Sequence, residues 1–180
     1  MNLYLRLFLL QVRVRLRRRL GGRRASLWDE VRTPFRVVPT DLDPLRHVNN
    51  GKYLSMLDLG RLDLMLRSGY WTALSEHGWY PVVSAQTITY KRSLTLGQRF
   101  DLRTRVLGVD ERAVYLEQTF ERGGAVVARA VVQARFLRRS GGTVPTADLL
   151  AAAGAPDRDL TVPDWVHEWA AATRISSSAS

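Results

Sequence analysis

Apolar and polar positions alternate with a period of two over four long segments in the second half of the chain. These segments are rich in Val, Thr, Tyr, Phe and Leu, and turn signals such as Thr95-Leu96-Gly97 and Gly123-Gly124 separate them. The alternation predicts half-buried strands, and the short connections predict an antiparallel meander. The predicted strands are Pro81–Arg92, Arg99–Val109, Ala113–Arg122 and Ala125–Arg138, preceded by a short proline-bounded strand at Pro34–Pro39.

One segment ahead of the long strands has a helical pattern. From Lys52 to Ser68 apolar residues occur on nearly every side, which predicts a helix that is buried on most faces. Asn49 or Asn50 suits its N-cap, and Gly69 suits its end. Its polar stripe consists of two acid–arginine pairs at i,i+3 and i,i+4 spacing, Asp58–Arg61 and Asp63–Arg67.

These elements predict an α+β fold, with one antiparallel sheet of about five strands wrapped round one long apolar helix. Long strands leave sheet edges that need cover, so we expect a homodimer or homotetramer. Two short helical patches, Thr146–Ala153 and Asp164–Thr173, follow the strands. The predicted division is a basic leader (1–30), the sheet-and-helix domain (31–145), a helical extension (146–175) and a disordered tail (176–180).

Composition narrows the chemistry. The 180 residues are 46% hydrophobic and 24% charged, an ordinary globular balance. The chain has no cysteine, which excludes disulfides, a Cys-ligated metal and a Cys nucleophile, and suits a reducing compartment. His47, His77 and His167 lie far apart without ligand spacing, so we expect neither a metal nor another cofactor. We expect a cytoplasmic protein, with peripheral membrane contact as the alternative.

The charge is concentrated at the N-terminus. The net charge is +10, but residues 1–24 hold eight arginines and no acid, so residues 25–180 carry only +2. The basicity therefore belongs to the leader. Nucleic-acid binding through residues 1–24 would rest on charge alone, and we do not predict it.

The leader leaves two interpretations open. Its apolar part, Leu3 to Leu10, is interrupted by Arg6 and is shorter than the ~20 residues that span a bilayer. The order of its charges is also unlike that of a signal peptide. Its arginines scatter on a helical wheel, and Val12–Arg17 alternates like a strand, so one interpretation is a partly disordered basic arm. The alternative is an anchor whose leucines enter the headgroup region of an anionic membrane while its arginines contact the lipid, and Gly21-Gly22 is then the hinge to the domain.

The loop before the buried helix contains the densest candidate chemistry. It runs DLDPLRHVNNGKY from Asp41 to Tyr53, and Asp58 and Arg61 follow on the helix. This pattern, D-x-D-x3-HVNN-x2-Y-x4-[DE]-x2-R, resembles the hotdog acyl-CoA thioesterases of the 4-hydroxybenzoyl-CoA thioesterase type. Within that group the chain is most similar to the branch of thioesterase superfamily member six and its bacterial relatives. The likeness covers about residues 33–170. It implies a hotdog fold and hydrolysis of an acyl-CoA.

The resemblance implies that Asp43 is the catalytic carboxylate, acting as nucleophile or as general base for water. A helix N-terminus offers unpaired N–H groups, so the backbone amide of Asn50 or Gly51 is expected to form an oxyanion hole. His47 is expected to orient Asp43 or the water. The ordinary structural roles stay open beside these, because an Asp in a D-x-D-P loop also forms Asx-turns and Asn is a common cap. Asp41 is expected to be structural.

Further residues are expected to contact the substrate. Expected substrate-binding residues are Asn49, Gly51, Tyr53 and Arg92. The coenzyme A phosphates could contact the strand cations, which are Lys91, Arg92, Arg99, Arg103 and Arg105. Pocket depth is expected to depend on Leu57, Leu64, Trp71 and Trp79.

Two functional hypotheses therefore remain. The first is an acyl-CoA thioesterase. The second is a non-catalytic protein of the same fold that binds acyl thioesters or lipids at a membrane surface. A hydratase would need an Asp–His pair of different spacing, which the sequence does not contain.

Overall fold

The computed structural model describes residues 3–175, so the predicted tail at 176–180 lies outside the described residues. A 3-10 turn at Pro39–Asp41 leads into the loop before the long helix. The elements in chain order are α1 (Leu3–Arg19), β1 (Val31–Arg36), α2 (Asn50–Ser68), α3 (Tyr70–Glu76), β2 (Trp79–Tyr90), β3 (Arg99–Val109), β4 (Val114–Arg122), β5 (Ala125–Arg138), α4 (Thr146–Ala153) and α5 (Asp164–Ala172).

The five strands form one antiparallel sheet in the order β1-β3-β4-β5-β2, which confirms the α+β prediction. The predicted meander is correct for β3, β4 and β5, but it is wrong for β2, which pairs with β5 instead of β3. The segment after β2 runs beside the loop that precedes α2, where Leu94 O accepts a bond from Val48 N at 2.9 Å. The same segment also bonds to β5, where Val127 O accepts from the amides of Lys91 and Arg92, so β2 continues along β5 and does not form a hairpin with β3.

Helix α2 packs along one face of the sheet and is buried on most sides, as its pattern predicts. Its N-terminal half contributes Tyr53, Met56 and Leu57 to one core cluster, and its C-terminal half contributes Leu64 to another. Helix and sheet lie in close contact at Gly60, where an added Cβ would lie 2.6 Å from Leu102 Cδ2. The absence of a side chain at this position is what allows the helix to lie on the sheet.

The leader forms a helix. Helix α1 packs on the domain through Arg6, Leu10 and Val14, which recur every four residues and are buried. The interpretation of this segment as a disordered or strand-like arm is therefore wrong. Apolar residues such as Phe8 and Val12 occupy the exposed side of the same helix, and for this reason the sequence shows little amphipathic contrast.

The C-terminal helices were predicted correctly, and one short helix was not. Helix α5 packs on the other face of the sheet, where Val162 and Val166 contact a cluster that includes Tyr115 and Val131. Helix α3 begins at Tyr70, directly after the left-handed Gly69 that ends α2 at φ 74°. The glycine signal marks the end of α2 but gives no sign that a new helix begins immediately.

Candidate functional site

The loop before α2 folds back on itself as a small hairpin, named here the acidic loop (residues 41–49). Asn49 N donates to Asp41 O, and Asp43 N donates to His47 O, both at 2.8 Å. Leu42 and Val48 form a β-bridge between these two pairs. The acidic loop therefore has a fixed shape, and it delivers the chain directly into the N-terminus of α2.

Asp43 is a half-buried residue at the turn of the acidic loop. Its Oδ1 accepts bonds from the amides of Leu45 at 2.9 Å and His47 at 3.1 Å, which is the Asx-turn role expected of such a residue. Arg46 adopts a left-handed conformation at φ 61°, alone among the non-glycine residues that the structure describes. No described residue donates to the second carboxylate oxygen of Asp43. This oxygen is therefore available to a water molecule or a substrate.

The N-terminus of α2 leaves one amide unpaired. Asn49 is the N-cap, and its Oδ1 accepts from Gly51 N at 2.9 Å. This bond assigns the Gly51 amide to the cap, so only Asn50 remains of the two amides expected in an oxyanion hole. Within residues 3–175, nothing accepts from Asn50 N. The positive end of the helix dipole lies at the same place.

The other residues expected in the site differ in their burial. The backbone amide of His47 donates to Asp43 in the turn, and the residue as a whole is exposed. Tyr53 is buried in the core, where its ring packs edge-on against Tyr90 and Phe120, and burial raises the pKa of its phenol. Tyr53 therefore anchors the first turn of α2 to the core by packing. Arg92 is exposed in the segment that runs beside the acidic loop.

The other cations expected to contact the coenzyme A phosphates differ in whether they already form ion pairs within the protein. Arg103 binds Glu30 and Glu121, whose carboxylates hold the pKa of the guanidinium above its ordinary value. Arg105 pairs with Glu117 at 3.1 Å. Both arginines are thus engaged in ion pairs along the sheet. Lys91 and Arg99 are exposed.

A buried polar network below α2 was not predicted. Arg61 pairs with Asp58, as expected from their spacing, and also donates to Gln118 Oε1 at 2.7 Å. Gln118 is fully buried and donates to Leu57 O and to Thr104 Oγ1, both at 3.0 Å. The available signal was a glutamine at an inward-facing position of a strand, between Leu116 and Phe120.

An apolar cavity of about 360 Å³ lies between the C-terminal half of α2, the sheet, α3 and α4. Asp58 and Arg61 are the only charged residues in its lining. Leu64 and Trp71, two of the four residues expected to set pocket depth, line it, whereas Leu57 belongs to the neighbouring core cluster. The cavity lies away from Asp43, since Asp58 is eight residues along α2 from Asn50, a rise of roughly 12 Å.

Residues 3–175 contain neither a cluster of metal-ligating side chains nor a membrane-spanning helix. In that range no group of three or more His, Asp or Glu side chains is placed to hold a metal ion. No helix in the same range combines the length and apolar character needed to cross a membrane.

A family model matches most of the chain, and individual relatives match shorter parts of it. The model of the thioesterase-like superfamily matches residues 37–170. Protein THEM6 of Xenopus laevis is 44% identical over 84 residues, which cover 47% of this chain and 41% of that protein. Long-chain acyl-CoA thioesterase FadM of Escherichia coli (strain K12) is 29% identical over 104 residues, 57% of this chain and 79% of that protein. The match thus spans less than half the length of the THEM6 relative.

Solved structures give the fold. A mutant 4-hydroxybenzoyl CoA thioesterase in complex with 4-hydroxybenzoyl CoA superposes with a TM-score of 0.62 at 15% identity. That superposition covers 69% of this chain and 99% of the other. The predicted hotdog fold and the likeness to the 4-hydroxybenzoyl-CoA thioesterase group are confirmed.

Proposed function

The chain belongs to the thioesterase-like superfamily, and from this premise we propose that it hydrolyses an acyl-CoA thioester to a carboxylate and coenzyme A. One observation carries the proposal. The acidic loop holds a carboxylate with one oxygen that no described residue occupies, and it leads directly into a helix N-terminus with an unpaired amide. A carboxylate and an oxyanion donor are the two groups that acyl transfer from a thioester requires.

Asp43 supplies the carboxylate. As general base, its free oxygen takes a proton from water while the water oxygen adds to the thioester carbonyl. As nucleophile, the same oxygen adds to the carbonyl itself, and water then hydrolyses the resulting anhydride. In either case the carbon–sulfur bond breaks and coenzyme A leaves as a thiolate. The two amide bonds to Oδ1 fix the direction of the second oxygen in advance.

Asn50 supplies the oxyanion donor. The carbonyl oxygen gains negative charge during attack, and the Asn50 amide together with the positive end of α2 stabilises that charge. Donors of this kind contribute about 3 kcal/mol to transition-state stabilisation. Because Asn49 uses its side chain to bind the Gly51 amide, the cap fixes the position of the neighbouring Asn50 amide.

We assign the far end of a long acyl chain to the apolar cavity. FadM, which is similar to this chain, is named as a long-chain acyl-CoA thioesterase. The cavity begins roughly 12 Å along α2 from Asn50, so a short acyl group bound at the helix N-terminus would not reach it. The solved relative in complex with 4-hydroxybenzoyl CoA makes an aromatic acyl group the competing substrate class.

A second copy of the chain is the expected partner. Strand β1 is a short edge of six residues that contains Pro34, and α1 contacts it through Arg6 and Arg36 O. Strand β2 is a long edge of 12 residues whose pairing within the sheet is with β5. Pairing of two β2 edges would cover it. Light scattering should give at least twice the 20.4 kDa chain mass, and a monomer would contradict this expectation.

The test of the reaction is thiol release from short, medium, long and aromatic acyl-CoA substrates. Asp43→Asn keeps an oxygen to accept the two loop amides but removes the charge, so kcat should fall by about 10³-fold with KM little changed. Asp148→Asn, at an exposed residue of α4, is the matched control and should match wild type. If Asp43→Asn retains wild-type turnover, the assignment of Asp43 fails. If the folded wild type cleaves none of the substrates, the proposal of an enzyme fails.

A binding function at an anionic membrane surface is the second candidate, and the exposed side of α1 favours it. Phe8 is 59% exposed and Leu16 is 55% exposed on a helix with six arginines and no acid. Such a helix lies in the interface, with apolar side chains inserted and arginines near lipid phosphates. Vesicle sedimentation should show binding to anionic but not neutral vesicles. Phe8→Ser should weaken it, and equal binding of DNA would indicate charge alone.

A further inference from the structure

A buried ion pair joins α1 to the acidic loop. Arg6 Nη2 lies 2.5 Å from Asp41 Oδ2, and the two side chains are 8% and 1% exposed. Arg6 also donates to Arg36 O at 3.3 Å, and its guanidinium lies 5.7 Å from the centre of the Phe35 ring. A buried carboxylate requires a partner, and the leader helix supplies the cation.

Asp41 is a junction of the acidic loop. The same Oδ2 that binds Arg6 accepts from Val38 N at 3.0 Å. Its carbonyl oxygen accepts from Asn49 N, the N-cap of α2, at 2.8 Å. Asp41 is also two residues from Asp43. A shift of Asp41 would therefore move the carboxylate and the helix end together.

Helix α1 is also held on the domain by other residues. Besides Arg6, its buried residues are Leu10 and Val14. Arg18 donates to Leu66 O at the other end of the helix, and Leu20–Arg24 connect α1 to the domain. Arg6 thus provides a direct contact through which the position of α1 reaches the acidic loop.

We infer that Arg6 is a positioning residue, and that α1, docked through it, holds Asp43 and the Asn50 amide in their working geometry. Arg6 does not touch the reacting atoms; it acts through Asp41. The kinetic part of this inference rests on the proposed thioesterase activity, whereas the structural part does not. Small displacements of a catalytic group cost rate more than they cost substrate binding.

The first measurement is hydrogen exchange on the full chain, which needs no substrate. In Arg6→Gln, the amides of Asp43, His47 and Asn49 should exchange about tenfold faster than in wild type, while Leu116 in central β4 changes less. Arg6→Lys should restore part of the protection because it keeps the charge. Arg23→Gln removes a leader arginine outside α1 and should leave exchange unchanged.

The second measurement is kinetic. Arg6→Gln should lower kcat by about 10-fold to 100-fold while KM stays within about twofold, with partial rescue in Arg6→Lys. If the acidic-loop amides keep wild-type exchange in Arg6→Gln, the inference is overturned. A rise in exchange that is equal in the acidic loop and in β4 also overturns it, because Arg6 would then only stabilise the fold. If the wild-type protein lacks turnover, the proposed thioesterase activity fails, but the exchange result still decides whether Arg6 positions the acidic loop.

Discussion

The two ends of α2 differ in what happens to their polar groups. At the N-terminal end, Asn49 caps one amide, the Asn50 amide stays unpaired, and the acidic loop is largely exposed. In the second half, Asp63 is fully buried and its carboxylate binds Thr33 Oγ1 at 2.6 Å and Arg67 at 2.6 and 2.8 Å. One end keeps groups available for a ligand, and the other uses its groups to hold the structure.

This difference explains how one helix can serve both stability and chemistry. The buried half gives α2 a fixed position on the sheet through Gly60 and the network around Gln118. A fixed helix in turn gives the N-terminal amides a fixed direction, which preorganised stabilisation of charge requires. Substitutions in the buried half should therefore change stability first, and substitutions at the exposed end should change activity first.

The largest stability effect should come from Asp63. Asp63→Ala removes a fully buried carboxylate, leaves the 11% exposed Arg67 without its ion-pair partner, and should cost about 3–5 kcal/mol of unfolding free energy. Asp58→Ala, on the same helix, should cost only about 1 kcal/mol, because Asp58 is exposed and Arg61 keeps its bond to Gln118. Urea unfolding of both variants measures the difference, and similar costs would contradict the contrast.

The next effect should come from the two glycines of α2. Gly60→Ala places a Cβ 2.6 Å from Leu102 Cδ2 and 2.8 Å from Thr104 Oγ1, and should cost about 2 kcal/mol. In Gly51→Ala the nearest atom is Asn49 Oδ1 at 3.2 Å, so the change should stay below about 0.5 kcal/mol. The same unfolding experiment compares them. A Gly60→Ala protein as stable as wild type would show that α2 is not held closely against the sheet.

A smaller effect should come from the cap. Asn49→Ala removes the acceptor for the Gly51 amide and should cost about 1 kcal/mol, whereas Asn49→Asp keeps an acceptor and should cost much less. With the cap lost, kcat on a cleaved acyl-CoA should fall more than stability alone explains. If Asn49→Ala and Asn49→Asp have equal kcat, the cap does not position the Asn50 amide.

The last effect is a loss of stability that appears only at alkaline pH. It concerns Tyr53 near the start of α2 and Tyr70 just after its end. Burial raises the pKa of Tyr53 and of Tyr70 above the ordinary value of 10.0. Below pH 10.0 both states keep the phenol protons; above it the unfolded chain releases them first, so stability falls as pH rises. Tyr70→Phe should flatten this fall between about pH 10 and pH 12, measured by urea midpoints, without changing the trend below it.

The regular elements were largely predictable from local pattern. The bounds of β3 and β5 agree with the predicted strands, and α2 begins two residues earlier than predicted and ends as predicted. Alternation and caps are local signals, and these elements follow them. Strand order was not a local property: β2 pairs with β5 although β3 and β4 lie between them in sequence, and the segment after Tyr90 bonds both to β5 and to the acidic loop.

The sequence by itself determined the fold class, the buried helix and the residue types of the acidic loop, because periodicity, capping and turn chemistry act between near neighbours. The tertiary structure alone decided which groups remain available. It assigned the Gly51 amide to the cap, buried Tyr53 and Gln118, opened the cavity, and turned the arginine-rich leader into a helix whose Arg6 lies 2.5 Å from Asp41. Arg6 and Asp41 are 35 positions apart, and contacts at such separation arise only when the whole chain packs.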